Sequence, residues 1–386
     1  MRKTIALLSL GLGIALGTPI LSVAEEAPLQ RVEVQDSLLG LDSQLWGCMG
    51  NPGDKQALIQ AIDHSLRYLN TPSAAQAYRN YPVEGISRDR VRRSLVRFRQ
   101  LLLTSPTPEA LQAAVKREFA FYKSVGRSTD GEVLFTAYFE PVYEASRIPT
   151  AEYRYPLYAK PTNFDQWKSP HPTRVELEGT NGLLGARSPL AGYELVWLRD
   201  RFEAFLIHVQ GSARLQLPDG SIMSVGYAGK TEHSYSSIGR ELVKDEKLPL
   251  DGLTLPVLID YFRNTPEELD VYFPRNESFV FFRETNGAPA TGSLGVPVTA
   301  DRSIATDKSI MPPGALALVS TEIPYPNTMG ELEMSLVSRY MLDQDTGSAI
   351  KGPGRVDLFL GTGQLAGDRA GIVATTGDLY YLLLKE

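Results

Sequence analysis

The sequence predicts an α+β protein, mainly β with a helical N-terminal part. Three observations carry that reading. From Asp54 to Phe121, apolar residues recur at helical spacing, with Leu58, Ile62, Leu66 and Leu69 along one face. At Val133 the pattern changes to alternating β-branched and aromatic residues, VLFTAYFEPVYEAS and then YRYPLYAKP. Near the C-terminus, DQDTGSAIKGPGRVDLFLGTGQLAGDRAG spans Asp343 to Gly371, and within it Val356, Leu358 and Leu360 alternate with Asp357 and Phe359 as in a short strand.

In chain order, the first segment is a leader: basic Arg2 and Lys3, an apolar run to Leu16, and Ser22-Val23-Ala24 as a small-x-small cleavage site. Gly17, Thr18 and Pro19 interrupt the run before it is long enough to span a bilayer, so the expectation is export with cleavage after Ala24. No cysteine follows the leader to carry a lipid, and the single Cys48 allows no internal disulfide. Trp46-Gly47-Cys48 reads as buried packing. A protein that is soluble in the periplasm or cell envelope is therefore expected. Without Arg2 and Lys3, 37 of the 39 basic residues remain against 45 acidic ones, a net charge of −8. That balance argues against nucleic acid or anionic lipid as partners.

Ser87 and Thr107-Pro108-Glu109 are helix starts, a hydroxyl cap followed in the second case by a first-turn proline and acid. The run Arg88, Arg90, Arg92, Arg93, Arg97 and Arg99 reads as a solvated helix face. Strands are expected at Leu195–Leu198, Phe205–Ser212, Arg214–Leu217, Met223–Tyr227 and Ser278–Phe282, with a Pro218-Asp219-Gly220 turn. His208 would then be a half-buried strand histidine. Ser237–Lys244 and Leu255–Asn264 read as helices, and from Val298 short strands and tight turns run into the aspartate stretch.

Metal and cofactor chemistry finds no support. HExxH, CxxC and GxSxG are absent, and His64, His171, His208 and His233 lack metal-ligand spacing. GSAIKGPG has the glycines and lysine of a phosphate loop in the wrong order. What remains is acid chemistry on Asp357, a carboxylate mounted on a strand between glycines, although Asp and Gly are also ordinary turn formers. Tyr138, Tyr143, Tyr227, Tyr235 and Gln210 suit sugars, since aromatic rings cover pyranose faces and amides bond hydroxyls, yet each could equally be core.

Taken together and in order, four blocks resemble the membrane-bound lytic murein transglycosylase A family: TAYFEPVYEASR with YPLYAKP, FLIHVQGSARLQLPDG with VGYAGKTEHSYSSIGREL, NESFVFFRE with PVTADRSIATDKSIMPPGALALV, and the aspartate stretch. The resemblance covers roughly 130 to 383. The last block, with Asp307, is also similar to the three-aspartate (3D) module of secreted cell-wall proteins, about 300 to 383 here, whose aspartates fall on Asp307, Asp345 and Asp357. The resemblance implies a double-psi β-barrel catalytic domain, residues 25–143 plus 295–386 with the N-terminal helices, split by an inserted β-domain at 144–294.

It further implies a glycan groove at the junction, with Asp357 as the catalytic acid. Asp345 and Asp307 are supporting, as raisers of its pKa or as braces of the barrel loops. Thr136, Tyr138, Gln210, Gly211, Ser212, Tyr227, Ala228, Gly229 and Lys230 would lie near the groove. The loop Pro353-Gly354-Arg355-Val356 is one residue longer than the family spacing. The implied reaction is cleavage of the β-1,4 bond between N-acetylmuramic acid and N-acetylglucosamine in peptidoglycan, with no metal or cofactor. A β-1,4-glycan hydrolase on the same barrel and a noncatalytic wall-binding module are the alternatives.

Overall fold

Where hydroxyl caps precede apolar periodicity, helices form. After strand β1 (Leu29–Val32) come α1 (Lys55–Leu69), α2 (Pro72–Ala77), α3 (Arg88–Thr104) and α4 (Pro108–Glu118). Ser87 Oγ accepts from Arg90 N, and Thr107 Oγ1 from Ala110 N, both at 3.2 Å. The computed structural model describes residues 27–47, 52–127 and 131–386; the leader and Cys48 lie outside them. Most of the arginine face is solvated and paired, Arg92 and Arg93 with Asp89, Arg97 with Glu118 and Arg99 with Asp63. Arg90 corrects the expectation. It is 4% exposed and donates to Leu384 O at 3.0 and 2.8 Å, because it shares the inward face of α3 with Ser94 and Phe98 and finds there an end-of-strand carbonyl to satisfy its charge.

Strand β2 (Phe119–Ser124) leads to β3 (Val133–Glu140), and the chain then leaves for a second sheet. It contains β4 (Val142–Ser146), β5 (Tyr155–Tyr158), β6 (Glu194–Leu198), β7 (Ser212–Gln216), β8 (Ile222–Lys230) and β9 (Val280–Glu284) in the order β5-β6-β4-β7-β8-β9. Helices α5 (Arg174–Glu178), α6 (Arg201–Gln210), α7 (Ile238–Lys244), α8 (Leu255–Asn264) and α9 (Leu269–Tyr272) pack around it. This sheet has its own core, Leu157, Val196, Leu198, Ile207, Leu215, Val225 and Phe282.

The expected strand at Phe205–Ser212 is instead α6 followed by β7, so His208 is a helix residue. Asp200 Oδ1 accepts from Phe202 N and Glu203 N at the start of this helix, and Gly211 ends it at φ +81°. A cap at each end, with burial on several sides, overrides the β-branched and aromatic run. His208 is nearly fully buried, and its Nδ1 accepts from Val280 N at 3.2 Å. Burial, with Arg174 adding to it, holds the imidazole well below its usual pKa and so neutral.

The chain returns as β10 (Ser303–Ala305), β11 (Leu316–Pro326), β12 (Leu332–Asp345), β13 (Arg355–Thr362), α10 (Gln364–Ile372) and β14 (Ala374–Leu384). Pairing runs β3-β13-β10-β12-β11-β14, and the first residues of β14 pair back onto β3, Ala374 opposite Thr136 and Gly377 opposite Val133. A six-stranded barrel is thereby closed. β10 and β12 pair in parallel, as do β13 and β3. The later part of β14 carries β2, and β2 carries β1. At the junction with the second sheet, buried Glu140 accepts from Arg214 Nε at 2.9 Å and from Thr362 Oγ1 at 2.7 Å.

Candidate active site

Asp357 is the third residue of β13, where the register sets it opposite Thr136 of β3 on one side and Ala305 of β10 on the other. Its side chain faces a cleft of about 660 Å³ between the barrel and the second sheet. The walls bring in Thr136 and Tyr138 from β3, His208 and Gln210 from α6, Tyr235, Ser237 and Arg240 around α7, and the loop Gly347–Gly354. Gly354 is required there: a Cβ would stand 2.3 Å from the backbone nitrogen of Arg127.

Thr136 Oγ1 donates to Asp357 Oδ1 at 2.7 Å. Burial pushes the Asp357 carboxyl up to about 6, against the opposing pull of the Thr136 bond and of Arg355, with Asp345 adding a smaller upward push. A carboxyl so placed can hold a proton in mildly acidic to neutral solution and release it to an oxygen in the cleft.

The other two aspartates have different surroundings. Asp345 accepts from Tyr138 OH at 2.7 Å and from the backbone nitrogens of Ser293 and Thr346 at 2.8 Å. Burial nevertheless raises its pKa, since those bonds only partly offset desolvation. Asp307 accepts from Ser309 N and Oγ at 3.1 and 2.7 Å and from Gly352 N at 2.9 Å, with Lys351 at 3.8 Å. Burial would raise it, but these partners outweigh burial and its pKa is lowered. Asp307 thus pins the loop that precedes Asp357, and Asp345 is the carboxylate whose charge Asp357 feels.

Of the residues expected near the groove, Thr136, Tyr138 and Gln210 line the cleft with Asp357. Gln210 Oε1 accepts from Phe139 N at 3.0 Å, tying α6 to β3. Gly211 and Ser212 follow behind it and do not line the cleft. Tyr227, Ala228, Gly229 and Lys230 do not line it either; they form the end of β8, whose register against β9 shifts between Tyr227 and Gly229. Tyr227 is 48% exposed there. Lys230 Nζ donates to Thr231 O and His233 O at 3.1 Å, and burial together with Lys351 lowers its pKa.

Sequence reasoning missed the cleft arginines. Arg127, Arg174, Arg240 and Arg355 all line it, scattered in the chain; Arg240 and Arg355 fall inside the blocks that carry the resemblance, but nothing there marked them as cleft residues. Arg355 alone carried a signal, by standing in the Pro353–Val356 segment whose length drew notice in the sequence; the structure makes it the first residue of β13. Among the described residues no group of His, Cys, Asp and Glu is arranged to hold a metal, and no helix is long and apolar enough to cross a membrane.

Comparison with known proteins accords with this geometry. Residues 134–283 match the MltA specific insert domain and residues 302–383 match the 3D domain. Membrane-bound lytic murein transglycosylase A of Escherichia coli K12 is 33% identical over 260 residues, 67% of each chain. The protein of that name from Vibrio cholerae is 32% identical over 263 residues, 68% of each. Among solved structures, a membrane-bound lytic murein transglycosylase from Agrobacterium tumefaciens superposes with a TM-score of 0.68 at 28% identity, covering 86% of this chain and 93% of that one. E. coli MltA with bound chitohexaose gives 0.70 at 24% identity, covering 93% and 95%. With an insert-domain match at 134–283 ahead of a 3D match at 302–383, and with relatives more than 30% identical matched over two thirds of their length, this chain belongs to the membrane-bound lytic murein transglycosylase A family.

Proposed function

We propose that this lytic murein transglycosylase cleaves the β-1,4 bond between N-acetylmuramic acid and N-acetylglucosamine with Asp357 as its single acid and then base. The observation that carries the reading is that Asp357, its pKa raised, is the one carboxylate among the described residues lining the 660 Å³ cleft. An ordinary glycosidase needs a second carboxylate, as nucleophile or to activate water. Here the protonated Asp357 gives its proton to the glycosidic oxygen, and the bond from that oxygen to C1 of the muramic ring breaks. The resulting aspartate takes the proton of the C6 hydroxyl on the same ring while O6 bonds to C1. Asp357 ends protonated as it began, and the product is a 1,6-anhydro-muramoyl end.

Ring closure wins over water by effective concentration. Water is present at about 55 M, whereas a well-oriented internal hydroxyl reaches about 10⁵ M or more. In this reading Tyr138 and Gln210 hold the sugar beside Asp357, and Tyr227, Ala228, Gly229 and Lys230, with Gly211 and Ser212 behind the wall, belong to the outer groove. Asp345 supports Asp357 through its charge and Asp307 through the loop. We read the barrel as the double-psi type, supported by its two parallel pairings, with residues 25–143 and 295–386 as the catalytic domain and 144–294 as the insert. The leader supports export to the cell envelope with cleavage after Ala24, which N-terminal sequencing of the exported protein would verify by finding Glu25 first.

Mass spectrometry of purified peptidoglycan digested by the protein, without prior reduction, tests the chemistry. The expected muramoyl ends are one water lighter than hydrolytic ends, form without added metal and persist in chelator. Predominantly reducing muramic ends would mean that water attacks.

A further inference from the structure

We propose that Arg355 and Arg240, with Arg127 beside them, form an anion subsite next to Asp357, so that the cleft selects glycan whose sugar at the cleaved bond bears a carboxylate. The proposal rests on the glycan-cleaving reading and names what that cleft prefers.

The cleft is unusually rich in cations for a chain with more acidic than basic residues. Arg127, Arg174, Arg240, Lys351 and Arg355 line it, against Asp357 alone. Arg174 is committed elsewhere: it pairs with Glu178 at 3.0 Å and donates to Asn276 O and Ser278 O at 3.0 and 2.8 Å. Lys351 faces Asp307 at 3.8 Å. Among the described residues Arg127 approaches Glu132, at 3.8 Å, with both side chains about half exposed. Among the described residues, Arg240 and Arg355 make no ion pair and the buried Nε of Arg355 finds no hydrogen-bond partner.

A buried guanidinium donor without an acceptor is costly, and arginine is the side chain best matched in shape to a carboxylate. Burial pushes down the pKa of Arg355 against the opposing pull of Asp357, and the like charges of Arg240 and Arg127 add smaller downward pushes. An arriving carboxylate would supply the missing acceptors and relieve that repulsion. Position points to the same ligand. Arg355 precedes Asp357 by two on β13, and residues two apart on a strand project from one face about 7 Å apart. That is a single sugar's reach from the bond that Asp357 protonates.

Muramic acid meets the requirement and N-acetylglucosamine does not. Its O3 carries a lactyl group whose carboxylate is free in stripped strands, and which in stem-bearing strands is amide-linked to a peptide with carboxylates of its own. The shared chemistry is a carboxylate on the O3 substituent, from either source.

The test measures binding by calorimetry in the inactive Asp357→Asn protein, with three probes: stripped glycan strands, stem-bearing strands and chitohexaose, which has no carboxylate. Adding Arg355→Gln is expected to weaken carboxylated strands by roughly tenfold, the scale of a charge-assisted hydrogen bond, and chitohexaose by less than twofold. Arg240→Gln, on the exposed face of α7, should act in the same direction and guards against a folding artefact at Arg355. Loss confined to stripped strands assigns the lactyl carboxylate, loss confined to stem-bearing strands assigns the peptide, and either supports the subsite. Equal loss on chitohexaose, or no loss on any probe in either variant, overturns it. Because binding is read without turnover, a finding of hydrolytic ends would sink the transglycosylase reading and leave this result standing.

Discussion

Thr136 and Asp357 are 221 positions apart in the chain, yet they face each other on parallel neighbouring strands with the Thr136 hydroxyl 2.7 Å from Asp357 Oδ1. That bond favours the ionised carboxylate and opposes burial, so removing the donor should raise the pKa of Asp357 further. In Thr136→Val the alkaline limb of the rate profile is expected to move to higher pH, while Thr136→Ser keeps it in place. Rates measured across pH decide this; a limb that stays put in Thr136→Val would detach the hydroxyl from the acid.

Asp357→Asn should fold, bind glycan and lose about 10²- to 10⁴-fold in turnover, the usual worth of a general acid. Asp345→Asn removes only a neighbouring charge and an acceptor for Tyr138, so it should lose less. Single-turnover rates beside binding measurements rank the two. Wild-type turnover in Asp357→Asn with none in Asp345→Asn would reverse the assignment.

The same carboxyl makes the wild-type protein pay in stability. Folded, Asp357 titrates at about 6 instead of its ordinary 3.8. Between those values the folded protein keeps a proton that the unfolded chain releases, so stability falls as pH rises through that window and then levels off. The loss is on the order of 3 kcal/mol, from about two pKa units at 1.36 kcal/mol each. Thermal unfolding should find Asp357→Asn more stable than wild type near neutrality and no different at about pH 3.5. A higher wild-type melting temperature at neutral pH would contradict the burial argument.

Much of the fold was legible wherever the periodic pattern and the caps agreed. Leu255–Asn264 is α8 to the residue, Thr107 and Ser87 cap the helices that they precede, and Asp357 sits on the strand its neighbours announced. Reading failed where local composition and tertiary burial diverge. Phe205 to Val209 looks like a strand because a helix packed on several sides also shows a continuous apolar run, and only Asp200 and Gly211 marked its ends. Helix α10 was hidden by the glycines around and within it. The cleft arginines were harder to see for another reason: which charges meet at a cleft is decided by how distant segments come together in space, and spacing along the chain carries little trace of that.

Arg214→Ala tests the junction of the two sheets. Glu140 is 1% exposed and depends on Arg214 and Thr362 for its charge. Losing the arginine should cost about 2 to 3 kcal/mol, below the usual range for a buried pair because Arg214 is itself partly exposed. Urea unfolding measures the loss, and Glu140→Gln with Arg214→Ala together should recover part of it.

The pairing of Ala374 with Thr136 means that the barrel shuts only when its last strand meets its first. Contacts this distant along the chain are slow to form, since the whole intervening loop must be ordered first. Until β14 seals against β3, the strand carrying Thr136 has an open edge and Asp357 lacks the dry wall that keeps it protonated. A chain whose barrel is not yet closed would carry an ordinary aspartate there, so the raised pKa of Asp357 belongs to the closed barrel and not to the strand alone.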